Sequence, residues 1–97
     1  MSENPRVHKL KCWPQYYDVI LSREKKFEVR RDDRGFQRGD IVELMKAEKQ
    51  ILGGYEVVRD IRGEPMYVVR FRIGWILTGG QFGIEPGYVV FSLEEIG

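Results

Sequence analysis

Lys25, Glu28 and Arg30 set two cations and a carboxylate within six residues. That trio can hold an anion. A phosphate or carboxylate suits Lys25 and Arg30, and the guanidinium offers a bidentate fork. Glu28 can orient Arg30, or accept hydrogen bonds from a base or a ribose hydroxyl. The trio sits in Lys25-Lys26-Phe27-Glu28-Val29-Arg30-Arg31-Asp32-Asp33-Arg34, where eight of ten residues are charged and the two apolar ones alternate. Period-two alternation predicts a strand over 26–31, with Phe27 and Val29 inward and Lys26, Glu28 and Arg30 on the other face. The plainer alternative is a solvated strand face, whose ion pairs contribute ~0–1 kcal/mol each.

A second candidate is the loop Gly79-Gly80-Gln81-Phe82-Gly83. Glycines let backbone N–H groups approach and cradle an anion, and Gln81 can read a base edge. The loop is equally a β-connection that needs positive φ, with Phe82 plugging the core. Trp13, Tyr16 and Tyr17 can stack bases. Their spacing with Ile20 and Leu21 (i, i+3, i+4, i+7, i+8) is that of a buried helical stripe, so core packing is expected. Trp13 is the exception. It opens the helix, adjoins Lys11, and can face a cleft at the strand-to-helix corner.

Other polar residues carry less. Lys9, Lys11, Arg70 and Arg72 would extend a basic surface only if strand order brings them together. Asp33 and Asp40 read as turn formers, since Asp side chains bond nearby backbone. His8 reads as a packed or surface histidine with no evident partner. One cysteine, Cys12, and one histidine leave no conventional zinc site and no internal disulfide, which fits a reducing compartment. No metal or cofactor is expected.

These residues must be positioned by a β-rich frame. Residues 7–12 form a strand with His8, Leu10 and Cys12 on one face and Lys9 and Lys11 on the other. A helix follows, with Pro14 in its first turn and its end near Ser22 or Arg23. After the charged strand come a turn at Asp32-Asp33-Arg34-Gly35, a second at Gly39-Asp40, and a strand over 41–45. Gly53-Gly54 marks a loop. Residues 55–61 and 66–77 read as a hairpin joined at Arg62-Gly63-Glu64-Pro65. Its second arm puts Tyr67, Val69, Phe71, Ile73, Trp75 and Leu77 on one face, with Gly74 as a bend point. A last strand over 88–93 turns Val89, Phe91 and Leu93 inward. The sum is a mostly β (α+β) chain: a small, mostly antiparallel β-barrel with one main flanking helix, in a single domain over 1–97.

Composition is that of an ordinary globular protein, 42% hydrophobic and 32% charged, and the net charge of +1 leaves any attraction to nucleic acid to local patches. No apolar run approaches the ~18 residues of a membrane span, and the first five residues hold no signal-peptide core. A cytoplasmic location is expected.

His8-Lys9-Leu10-Lys11, Lys25-x-x-Glu28-x-Arg30, Asp32-Asp33-Arg34-x-Phe36-x-x-Gly39-Asp40 and Ile76-Leu77-x-Gly79-Gly80-x-Phe82-Gly83 through Gly87-Tyr88-Val89-Val90 together resemble the ASCH domains of the PUA-like superfamily. Nearest is a small family of uncharacterised bacterial, archaeal and phage proteins within it. The resemblance spans nearly the whole chain. It implies a PUA-like β-barrel with a cleft between the helix, the charged strand and the glycine-rich loop. It also implies RNA or a nucleotide-like ligand. With the readings above, the residues expected to hold it are Lys11, Trp13, Lys25, Lys26, Glu28, Arg30, Gly79, Gly80 and Gln81. One branch resembles amidohydrolases that remove acetyl from acetylated cytidine, using a Lys, a Thr three residues later and a distant Glu. Lys25 matches the Lys, but Glu28 stands at the Thr position. The one threonine is Thr78, and the serines are Ser2, Ser22 and Ser92. No hydroxyl or thiol nucleophile stands where that mechanism needs one. An RNA- or nucleotide-binding module is therefore expected. The alternative is a small hydrolase acting on an acylated or modified nucleoside, with Lys25 and Glu28 activating water.

Overall fold

Seven elements carry the chain: β1 (Val7–Cys12), α1 (Pro14–Leu21), β2 (Phe27–Arg31), β3 (Ile41–Lys49), β4 (Tyr55–Val57), β5 (Val68–Thr78) and β6 (Tyr88–Glu95). The structure, a computed structural model, describes residues 4–96. Residues 1–3, which hold Ser2 and most of the segment read for a signal peptide, lie outside the described residues.

The fold is mostly β, with one helix. Strand order in the sheet is β1-β3-β5-β6-β2, and β4 pairs with β3 beside this path. The β1–β3 pair is parallel and the other pairs are antiparallel. The inward faces of these strands meet α1 through Tyr17 and Ile20, over a core that includes Leu10, Leu44, Phe71, Ile73 and Phe91. Among the described residues, no helix is long and apolar enough to cross a membrane.

The expected closed barrel does not form, because β1 and β2 share no ladder. Arginine side chains span the gap instead. Arg30 Nη2 donates to Lys11 O at 2.7 Å, Arg34 Nη1 donates to Lys9 O at 3.0 Å, and Arg6 Nη2 donates to Gly35 O. A guanidinium is longer than a direct N–H···O bond, so the two strands stand farther apart than the ~4.8 Å of a ladder. The sheet therefore has a seam.

Local sequence explains most of the rest. Strand β1 alternates exposed and buried as expected, with His8, Leu10 and Cys12 inside. Helix α1 has Pro14 at its start and ends at Ser22. Its apolar stripe is only half buried: Tyr17 and Ile20 are inside, whereas Tyr16 (44% exposed) and Leu21 face out. The turn expected at 62–65 forms, with Arg59 bridged to Pro65 and Met66 N donating to Val58 O, but the two arms pair elsewhere: β4 pairs with β3, which runs on to Lys49, and β5 pairs with β3 and β6. Gly74 does mark a bend. The β5–β6 register shifts by one residue between Ile73 and Ile76, which moves Trp75 to the outer face and Ile76 to the core side. A Cβ on Gly74 would lie 2.3 Å from Ser92 Oγ and Glu94 Oε1.

Strand β2 reverses the expected faces. Glu28 is buried, and Phe27 and Val29 are about half exposed. The alternation is as read; its direction is inverted. A carboxylate can take the inner position because two cations accompany it.

Candidate functional site

A cleft of about 550 Å³ opens at one end of the seam, lined by Lys11, Cys12, Trp13, Tyr16, Lys25, Phe27, Glu28, Val29 and Arg30. Three elements build it. The end of β1 supplies Lys11 and Cys12. The turn into α1 supplies Trp13 and Tyr16, since Trp13 O accepts the first helical bonds from Tyr16 N and Tyr17 N and holds the corner in place. The third wall is the edge of β2.

Glu28 anchors the floor. Its Oε1 accepts from Lys25 Nζ and its Oε2 from Arg30 Nε, both at 2.8 Å. The Lys25 and Arg30 side chains are 19% and 25% exposed against 5% for Glu28. Burying a lone carboxylate costs several kcal/mol, so the two cations offset that penalty. One positive charge is left over from the three groups. Arg30 uses Nε for Glu28 and Nη2 for Lys11 O. Its Nη1 bonds no described residue, so a donor remains for a ligand.

An aromatic shelf stands above this floor. Trp13 stacks on Tyr55 at 4.7 Å and 17°, and on Tyr16 at 5.8 Å and 22°. Lys11 Nζ donates to Tyr55 O at 3.0 Å, tying the shelf to β4. Lys25 Nζ lies 5.2 Å from the Tyr16 ring and 5.0 Å from the Phe27 ring, a cation–π arrangement on both sides. Tyr55 escapes a sequence reading because only the β3–β4 pairing brings it to Trp13, and no local pattern announces that.

Cys12, beside this floor, is a poor nucleophile. Burial and then the Glu28 charge push its thiol up to about 11, while Arg30 and Lys25 pull the other way. At neutral pH it stays protonated.

The other sequence candidates lie elsewhere. Gly79, Gly80 and Gln81 do not line the cleft. Gly79 N–H donates to Tyr88 O and Gly80 N–H to Ile84 O, both at 2.7 Å, and Gln81 Nε2 donates to Thr78 O. A Cβ on Gly79 would fall 1.9 Å from Glu85 O, so its glycine serves close backbone approach. Phe82 is 84% exposed and plugs nothing. Lys26 lines a second depression with Arg23, Phe71 and Glu95, which meets the cleft at Lys25. Lys9 and Arg70 do share one sheet face, but Glu43 stands between them and pairs with Arg70 at 3.3 Å.

A second buried carboxylate closes the far end of the seam. Asp40 Oδ2 meets His8 Nε2 at 2.8 Å and accepts from Gln37 N at 3.1 Å, and its Oδ1 accepts from Arg6 N at 3.4 Å. Burial alone would raise its pKa, but the His8 bond and the Gln37 and Arg6 amides outweigh that and leave it lowered. The turn-forming role read for Asp40 is present in its Gln37 bond. The partner of His8, unseen in the sequence, is thus Asp40, 32 residues away.

Two comparisons bear on identity. The model of a family described as "Domain of unknown function (DUF3850)" matches residues 7–93. The chain is also similar to the "Uncharacterized 12.9 kDa protein in GpA 3'region" of Escherichia phage P2, at 31% identity over 52 residues. That match covers 54% of this chain and 48% of the phage protein.

Proposed function

The chain belongs to the DUF3850 family, and from that premise we propose that it is an ASCH, PUA-like module binding RNA or a nucleotide-like ligand in the seam cleft. One observation carries the reading: a cationic floor and an exposed aromatic shelf share a single concave site. Nucleotides combine an anion with a flat ring. Arg30 and Lys25 suit the first, and the Trp13–Tyr16 surface suits the second, since stacking on aromatic side chains contributes ~1–3 kcal/mol per base.

Binding is favoured over hydrolysis by how Glu28 is held. Each of its oxygens accepts from a cation, so the carboxylate is held as the part that positions Lys25 and Arg30.

Isothermal titration of short single-stranded RNA and of mononucleotides tests the proposal. Binding is expected to weaken with salt, by about 0.7 in log–log slope per phosphate neutralised. Lys25→Ala with Arg30→Ala, combined with Glu28→Gln so that no buried carboxylate is left unpaired, is expected to abolish it while the fold is retained by circular dichroism. If the wild-type protein binds no RNA, nucleoside or nucleotide, the proposal fails.

A further inference from the structure

The third wall of the cleft is a strand edge, and its register fixes what that edge offers. Leu93 N donates to Lys26 O and Asp32 N donates to Gly87 O. With Glu28 opposite Phe91 and Arg30 opposite Val89, residues 26, 28, 30 and 32 therefore direct their backbone groups at β6. Phe27, Val29 and Arg31 direct theirs the other way, into the seam. On the facing edge, the Lys9 and Lys11 carbonyls are occupied by Arg34 and Arg30. No described residue bonds to the backbone N–H or C=O of Phe27 or Val29 on this side. Both residues line the cleft.

We infer that the ligand's flat ring is read by the main chain of Val29, whose N–H and C=O pair with an adjacent acceptor and donor on the ring edge. This rests on the nucleotide reading of the same cleft. Val29 is singled out because Glu28 and Arg30 flank it, so an anion on Arg30 and a ring edge on Val29 belong to one ligand. Its side chain lies on the opposite face from Glu28 and is half exposed, so it does not block the edge. A strand residue in this phase presents one donor beside one acceptor. The pairing edge of a nucleobase presents the complement: a ring carbonyl beside a ring N–H, or a ring nitrogen beside an exocyclic N–H. A peptide strand fits less well. The Arg30–Lys11 and Arg34–Lys9 bonds cross the seam that an added strand would have to occupy.

The probes are the four ribonucleoside 5′-monophosphates, titrated into the whole chain, and the counterpart of the tightest binder methylated on the ring nitrogen of its pairing edge. The methyl group is expected to weaken binding by about tenfold or more, since it removes one hydrogen bond and obstructs the other. Val29→Pro removes the N–H without taking a bond from the β2–β6 ladder, an edge position where proline is tolerated. It is expected to weaken the tightest binder by about tenfold. Should Val29→Pro fail to fold by circular dichroism, the methylated nucleotide decides alone. Equal binding of parent and methylated nucleotide, with Arg30→Ala still abolishing both, overturns base-edge pairing and leaves the nucleotide reading standing. Binding of no monophosphate overturns base-edge pairing, and binding of no short RNA or nucleoside either overturns the nucleotide reading with it.

Discussion

Asp40 and Glu28 are carboxylates sealed at opposite ends of one seam, 2% and 4% exposed, yet they are held by different kinds of partner. Asp40 receives the His8 ring and the main-chain amides of Gln37 and Arg6, and the half-exposed Arg6 guanidinium stands off at 3.5 Å as a weaker partner. His8 is itself buried and packs edge-on against Phe36 at 4.8 Å, so these donors hardly move. Glu28 receives the tips of two long side chains, each still in touch with the cleft. Burial alone therefore does not separate scaffold from site. Fixed amide and ring donors lock a carboxylate in place. Cationic side chains held by a carboxylate keep spare donors and surplus charge for something that arrives.

The comparison breaks first at Asp40. Asp40→Ala leaves the buried His8 ring and the part-buried Gln37 and Arg6 amides without their acceptor. The expected loss is about 3 kcal/mol, read as a lower urea midpoint. The acid limb should change with it. The folded pKa of Asp40 lies below its unfolded value of 3.8. Its contribution is thus complete above that value and is lost as pH falls through the folded value. Urea midpoints from pH 5 down to pH 2 should fall less steeply in Asp40→Ala than in the wild type. A loss below that of Glu28→Gln would invert the assignment of scaffold and site.

Much of this arrangement is legible from local pattern, and its gaps share one cause. Alternation in 7–12 and the Pro14-led stripe place β1 and α1 because each signal is complete within a few residues. The trio of Lys25, Glu28 and Arg30 is readable for the same reason, as is the role of Glu28 in orienting Arg30. Which face of β2 turns inward is not readable, since hydrophobicity favours Phe27 and Val29. Charge compensation decides it, through Lys25 from the preceding turn and Arg30 from the same strand. His8–Asp40, Trp13–Tyr55 and the open seam all depend on distant segments meeting. The glycine-rich loop shows the opposite error. Its composition suits an anion cradle, but the Gly79 and Gly80 N–H groups are taken by the Tyr88 and Ile84 carbonyls, and the loop stands away from the cleft.

Glu28→Gln sharpens the contrast at the other end. Lys25 and Arg30 reach the cleft, so water can replace part of what they lose. The expected stability loss is about 1 kcal/mol, smaller than at Asp40. Nucleotide affinity should nevertheless fall by about tenfold, because Arg30 loses the partner that fixes its fork. Titration at two salt concentrations separates geometry from charge. If removing the negative charge mattered more than positioning, affinity would rise instead, most strongly at low salt.

The smallest effect is expected at Cys12, and it reports on the charge state of Glu28. Burial raises the thiol to about 11, with the Glu28 charge as the next cause. In Glu28→Gln that second cause disappears while Arg30 and Lys25 remain, so the thiol pKa should move down but stay above its ordinary value. The pH midpoint of iodoacetamide alkylation is the readout, and a variant with a looser fold is needed beside it, because exposing the thiol also lowers that midpoint. Asp40→Ala serves as the control, since Asp40 is not among the charges that act on this thiol. A midpoint shifted in Glu28→Gln alone means that Glu28 is ionised within the fold, as two cations at 2.8 Å require. An unchanged midpoint means a neutral Glu28, and the surplus charge available to a ligand would then be two rather than one.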